Sequence, residues 1–436
     1  MSESMSLRTI VQKGEFVDKS DNEALHLFQK AFGPELSHLR NAKATVESAG
    51  TDSSAWTLSR LLFDHDYIEV NRTLTSTLAI KWLLADKYEA FTSGQPSSEK
   101  LSKESFQKLR KFFFDQLPTP CDDIYALIVA MAIDDIGKDQ ALARELNMPA
   151  GKNHSEILLC AVEKGIVPAL ETVEPEDQRK TIVDSLKIEL DISQVMQGET
   201  APCSLLVLKG RGEKAFNLKA MVTFLDVAGA SAHGRPRGCA VMMENVFKNY
   251  MNTIELLNAY RKGEIQGAEA CYNGILGLRA KALEKNGFRI QKNNELVALS
   301  CKDPDHRAFL RIVCMGRVES KEGAELFWRA FNKLPGPQKR ALVNGLNVNG
   351  VGDGVAILPY YAPGILSQTL KNAESSEKDK ALIAYMTFLA RVFSHYEGQS
   401  DKLDGIIEVD LSFAQKVFKD DGFRNNPGVL AELPLP

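Results

Sequence analysis

Cysteine pairs, a targeting segment, long apolar runs and a dominant charge sign are all lacking in this 436-residue sequence. Its seven cysteines, at 121, 160, 203, 239, 271, 301 and 314, stand singly, with no C-x-x-C pair and no zinc-finger spacing. That excludes a disulfide-stapled scaffold and points to a reducing compartment. The opening MSESMSLRTIVQKGEF has no apolar core of the length a signal peptide needs, and no run reaches the roughly 18 apolar residues of a transmembrane helix. The expectation is a cytosolic protein with no membrane partner. Lys plus Arg number 53 against 57 for Asp plus Glu, and a net charge of −4 gives no whole-molecule attraction to nucleic acid, so any such contact must be local. There is no internal repeat and no low-complexity tract. There is also no G-x-S-x-G elbow for a serine nucleophile. Gly350, Gly352 and Gly354 do not make a G-x-G-x-x-G fingerprint, and Pro359 and Pro363 prevent the long helix a dinucleotide fold requires.

What is present is helical periodicity around one apolar stretch. Residues 124–133, IYALIVAMAI, are too few to cross a bilayer and read as a helix buried on every side. Asp134 and Asp135 follow at once, where desolvation and mutual repulsion perturb both carboxyls. Helical spacing pairs Asp134 with Lys138 at i,i+4 and leaves Asp135, on the Ile124, Ile128 and Met131 face, as the more consequential of the two. A solvated helix end is the alternative. Upstream, Tyr67, Val70, Leu74, Leu78 and Trp82 recur at intervals of three and four with Asn71 on their face. A buried amide there either bonds within the core or points into a site.

The remaining pattern completes a mainly α fold. Residues 1–22 are polar and read as a flexible N-terminus, 23–400 as one large α-helical domain and 401–436 as a tail. Helical pattern starts with NEALHLFQKAF and again over 55–63. A polar linker over 92–104 precedes a helix at 105–117 and the break Pro118-Thr119-Pro120. Asn153 and Glu156 form a capping-box start with His154 in the first turn, where the helix dipole favours neutral imidazole. Asp226 and His233 bracket Gly229; on an unbroken helix they would sit about 10.5 Å apart along the axis, so Gly229 would have to break it to bring them together. The piece FRIQKNNELVALSC suggests a small hairpin about Asn293 and Asn294, and 355–360 a second β element. A final helix spans 377–397.

The candidate acids and bases are Asp134, Asp135, His154, Glu199, Asp226 and His233. The candidate contacts are Asn71, Lys138 and the basic loops carrying Lys209, Arg211, Lys214, Arg235 and Arg237. Carboxylates suit bidentate contact with a guanidinium, a histidine suits deprotonation of an amine, and Lys/Arg loops suit a nucleic-acid backbone. Cys121 precedes Asp122 and Asp123, whose charge disfavours a thiolate.

Two resemblances bear on function. Asp134-Asp135-Ile136-Gly137-Lys138 resembles the His-Asp-[IL]-Gly-Lys hallmark of HD-domain metal phosphohydrolases and their di-iron oxygenase relatives, with His154 downstream where that family often has a ligand. Asp134 stands in place of the metal-binding histidine, and Asn71 where the first histidine is expected. The resemblance implies an HD-like helical core and, with two imidazoles replaced by oxygen donors, Mg²⁺ or Mn²⁺ rather than iron, or no metal. More broadly, the order of DDIGK (134–138), NHSE (153–156), LDVAGASAH (225–233), RIVCMGR (311–317) and PYYAP (359–363) resembles fungal arginine-containing cyclodipeptide synthases. That implies an enzyme with no cofactor that condenses an arginyl group from aminoacyl-tRNA with a second amino acid into a diketopiperazine. A non-catalytic helical interaction protein is the third reading.

Overall fold

The computed structural model describes residues 5–42, 56–115, 117, 120–149, 152–292, 294–399, 401–419 and 422–436. Ala55, Pro118, Thr119 and Asn293, which carry parts of the expectations above, lie outside the described residues. Among the described residues the protein is mainly α, with two small two-stranded sheets, as the periodicity predicts. It packs as two compact units, residues 1–189 with 211–251 and residues 190–210 with 252–436. Among the described residues no helix is long and apolar enough to cross a membrane.

In the first unit, helix α1 spans Leu7–Gln12 within the stretch expected to be loose. The Ser6 hydroxyl accepts the Thr9 N–H, and Leu7, Ile10 and Val11 are buried, so three apolar positions within five residues suffice to order a polar segment. The pattern expected over 55–63 is the short helix α2, Leu58–Phe63. Helix α3, Ile68–Leu84, is buried almost all round, and so is α4, Pro120–Ile133, from Tyr125 onward. Helix α5, His154–Glu163, begins with the expected capping box between Asn153 and Glu156. Helix α6, Glu213–Gly229, packs against both α3 and α4.

Three buried helices in mutual contact need small residues at their crossings. The Ser76 hydroxyl donates to the Arg72 and Leu225 carbonyls at 2.9 and 2.8 Å, and a methyl group at Gly229 would collide with that hydroxyl and with the Arg72 carbonyl. Helix α6 ends there, as the Gly229 break requires.

In the second unit, β1 (Ile290–Lys292) and β2 (Glu295–Val297) form the expected antiparallel hairpin, with Asn294 in the left-handed region at φ 64°. Its helices include α7 (Ala268–Lys285), α8 (Pro304–Met315), α9 (Ala362–Asn372) and the central α10 (Lys378–Tyr396). Strand β3, Val355–Tyr360, pairs in parallel with β4, Gly405–Asp410, in a register running from Val355 opposite Gly405 to Tyr360 opposite Asp410. The segment expected as a tail therefore contributes a strand. The Arg391 guanidinium also holds the carbonyls of Ala431 and Leu433.

Candidate active site

The first unit gathers its charges where α3, α4 and α6 meet. Helix α4 stops at Ile133 and the chain tightens into a 3₁₀ turn over Ile136–Lys138. Gly137 lies in this turn with its bare Cα against the His154 carbonyl at the start of α5; a methyl group there would collide with it. Because the α-helix has ended, the i,i+4 pairing of Asp134 with Lys138 does not form. Lys138 Nζ instead meets Asp135 Oδ1 at 2.8 Å and Glu69 Oε2 at 2.9 Å. Arg72 Nη1 grips both oxygens of Glu69 at 3.1 Å, and Nη2 reaches Asp226 Oδ1 at 2.8 Å.

Glu69, Asp135 and Asp226 thus pair with Arg72 and Lys138, and Asp134, beside them, feels Lys219 more strongly than Lys138. Glu69 is raised from the usual carboxylate range by burial and by Asp135. Asp134 is pushed up to about 7 by burial and by the negative charge of Asp135, with Lys219 opposing. Burial also opposes ionisation of Asp135, but Lys138 and Arg72 outweigh it and hold that carboxyl well below its ordinary value.

Asp134 is half-buried and, among the described residues, makes no hydrogen bond or ion pair. The expected pairing is therefore reversed: Lys138 is committed to Asp135, and Asp134 is open. Neighbouring Asp226 keeps about a third of its side chain exposed, at 34 %. His154 lies close enough to Asp135 for its charge to act on it.

Asn71 and His233 belong to a second cluster, gathered around Asp66. Asn71 Oδ1 accepts the Ser59 N–H at 2.8 Å and its Nδ2 donates to Asp66 Oδ1 at 2.7 Å, the core-bonded alternative for a buried amide. His233 faces this same Asp66, with Nδ1 at 3.4 Å from Oδ1, and not Asp226. Burial works against ionisation of Asp66, but hydrogen bonds from Thr57 and Asn71, helped by His233 and Arg60, lower it overall.

Lys214, Arg235 and Arg237 are exposed and Arg211 is half-buried, all in the first unit. Lys209 and Glu199 belong to the second. There Glu199 is buried and its Oε1 accepts the Tyr361 N–H at 2.6 Å, at the start of α9. Burial pushes it up to about 8, with Asp191 adding to the shift. Its own loop is fixed by the fully buried Arg311, which donates to the carbonyls of Gly198, Glu199, Thr200 and Leu346.

Sequence reasoning missed Glu69, Arg72 and Asp66. Their only sequence signal is two charges at i,i+3 flanking Val70 and Asn71 inside an apolar stripe, which reads equally well as a wet face.

A mainly helical protein with a buried ion network beside an open carboxyl is what fold and site define. The chain belongs to a family of unknown function, DUF6829, whose pattern matches residues 25–430. No curated protein and no solved structure matches it.

Proposed function

We propose that the first unit is an acyl-transfer site in which Asp134 is the general acid–base, serving the aminoacyl condensation that the resemblance to arginine-containing cyclodipeptide synthases implies. The single observation that carries this reading is the Asp134 carboxyl itself, half-buried, unpartnered among the described residues and pushed up to about 7. A group near neutrality serves as base and then as acid without a large penalty in either direction. The amine of one aminoacyl-tRNA attacks the ester carbonyl of another and forms the C–N bond. Asp134 takes the proton from that nitrogen and returns it to the ribose oxygen as the C–O bond breaks. A second round, with the free amine attacking the remaining ester, closes the ring.

Lys138 and Arg72 hold Asp135 ionised beside Asp134, and that charge holds the proton affinity of Asp134 up. Asp226, partly open, suits the guanidinium of an arginyl group. Lys214, Arg235 and Arg237 suit the RNA backbone. The reading uses no cofactor and places the protein in the cytosol. Mass spectrometry of small molecules from cells expressing the chain tests it: an arginine-containing diketopiperazine is expected, and its absence counts against the reading.

A degenerate HD-like hydrolase or oxygenase is the second reading, favoured by one observation: the end of α4, the start of α5 and α6 bring Asp135, His154 and Asp226 into a single charge network. In it Arg72 and Lys138 supply positive charge among the carboxylates. About one equivalent of Mg²⁺ or Mn²⁺ in purified protein, lost in Asp226→Ala, would favour this reading. Neither product nor metal would leave a helical interaction protein.

A further inference from the structure

The chain after α6 is pinned at two places and tied between them by one titratable pair. At one end Gly229 lies against the Arg72 carbonyl and the Ser76 hydroxyl, where no side chain fits. At the other, a methyl group on Gly238 would sit 2.7 Å from the Ala90 carbonyl, and the Cys239 N–H donates to the Phe91 carbonyl at 2.7 Å. Between these anchors, residues 230–236 turn on themselves: the Gly234 and Arg235 N–H groups both donate to the Ser231 carbonyl, at 3.1 and 2.8 Å. Among the described residues, the one ion pair from this segment to another element is His233 to Asp66.

That pair is incompletely made. His233 Nδ1 is buried without a hydrogen-bond partner and stands 3.4 Å from Asp66 Oδ1, and the Ser231 hydroxyl in the same turn is also buried and unbonded. The charged groups facing the imidazole are Asp66, from the turn between α2 and α3, and Arg60 of α2, 3.7 Å from the other Asp66 oxygen. Thr57, Ser59 and Asn71, which complete the shell around Asp66, are neutral. Arg235, on the segment itself, is exposed. A proton on His233 turns a loose contact into a charge-assisted hydrogen bond to a carboxylate, and that bond is about twice as strong as a neutral one.

We propose that His233 and Asp66 form a proton-operated clasp, fastening residues 230–236 to the start of α3 when His233 is charged and loosening them when it is neutral. Histidine is the side chain whose charge ordinarily changes close to physiological pH. Asp226 lies only three residues before the Gly229 anchor, so the clasp controls the mobility of the chain leaving the candidate active site. This consequence for access rests on the acid–base reading above, whereas the clasp itself does not.

Hydrogen exchange on the full chain across pH 5.5–8.5, corrected for intrinsic rates, tests it. In the wild type, exchange in 230–236 should rise by about fivefold or more as His233 loses its proton, in step with titration of the His233 ring signal, while α3 and α4 stay protected. His233→Gln should exchange at the fast level at every pH, and His233→Lys at the slow level. A wild-type profile flat over this range, the same pH dependence in His233→Gln, or a rise spread uniformly over the first unit would each overturn the clasp. Product formation plays no part in these readouts, so failure of the acyl-transfer reading leaves them interpretable.

Discussion

Lys138 closes on Asp135 at 2.8 Å, three residues back along the chain, and by doing so leaves Asp134 as the open member of an adjacent acidic pair. The separation of roles follows from where α4 ends. One more α-helical turn would have placed Lys138 beside Asp134; instead the chain enters a 3₁₀ turn in which Gly137 lies against the His154 carbonyl.

The first prediction concerns that committed pair. Asp135→Asn removes one of the two carboxyl partners of Lys138 and weakens the field on Arg72, so it should destabilise the protein by about 3 kcal/mol. Asp134→Asn removes no hydrogen bond or ion pair described here and should change stability by about 0.5 kcal/mol at most in the destabilising direction. Urea unfolding of the two variants measures the difference; equal midpoints would mean the pairing is wrong.

Gly137→Ala and Gly229→Ala test the two close approaches that shape the site. Each methyl group meets a backbone carbonyl that cannot rotate away, so each should cost about 2 kcal/mol or more. Gly277→Ala, within α7, meets no neighbouring atom within 4 Å and should be neutral or slightly stabilising, because alanine favours a helix interior by up to about 1 kcal/mol. Thermal melts of the three variants check the order.

Glu199 predicts a pH dependence in the second unit. Its folded-state value, about 8, lies above that of an unfolded glutamate, so the folded state binds the extra proton. The resulting stability is fully present below about pH 4.5 and is lost as pH rises through 8, by as much as roughly 5 kcal/mol. Glu199→Gln stays neutral and can still accept the Tyr361 N–H. The wild type should therefore lose stability relative to Glu199→Gln between pH 5 and pH 9, as read from denaturation midpoints; parallel curves would contradict the shift.

How much was legible in the sequence depended on how local the cause was. The capping box at Asn153 and Glu156, the hairpin about Asn294 and the buried run before Asp134 are set by neighbours within a few residues, and the sequence analysis found them. Strand β4 was read as tail because its partner β3 lies some fifty residues earlier, and three apolar residues in GIIEVD give no pattern alone. Glu69 and Arg72 went unseen because their value comes from Asp226 and Lys138, more than sixty residues away in sequence. The pairing of Asp134 with Lys138 failed for a related reason: helical spacing was extended through a glycine whose contact with α5 only the tertiary structure shows.

The most direct test of the account is the yield of arginine-containing diketopiperazine from cells expressing the wild-type chain and the Asp134→Asn variant, measured by mass spectrometry at matched soluble protein. The account predicts product from the wild type, and a loss of about a hundredfold or more in the variant with its fold intact. In the purified reaction, the wild-type rate should rise with pH through about 7 as the Asp134 carboxyl becomes a base. Product from Asp134→Asn at near wild-type yield would contradict it.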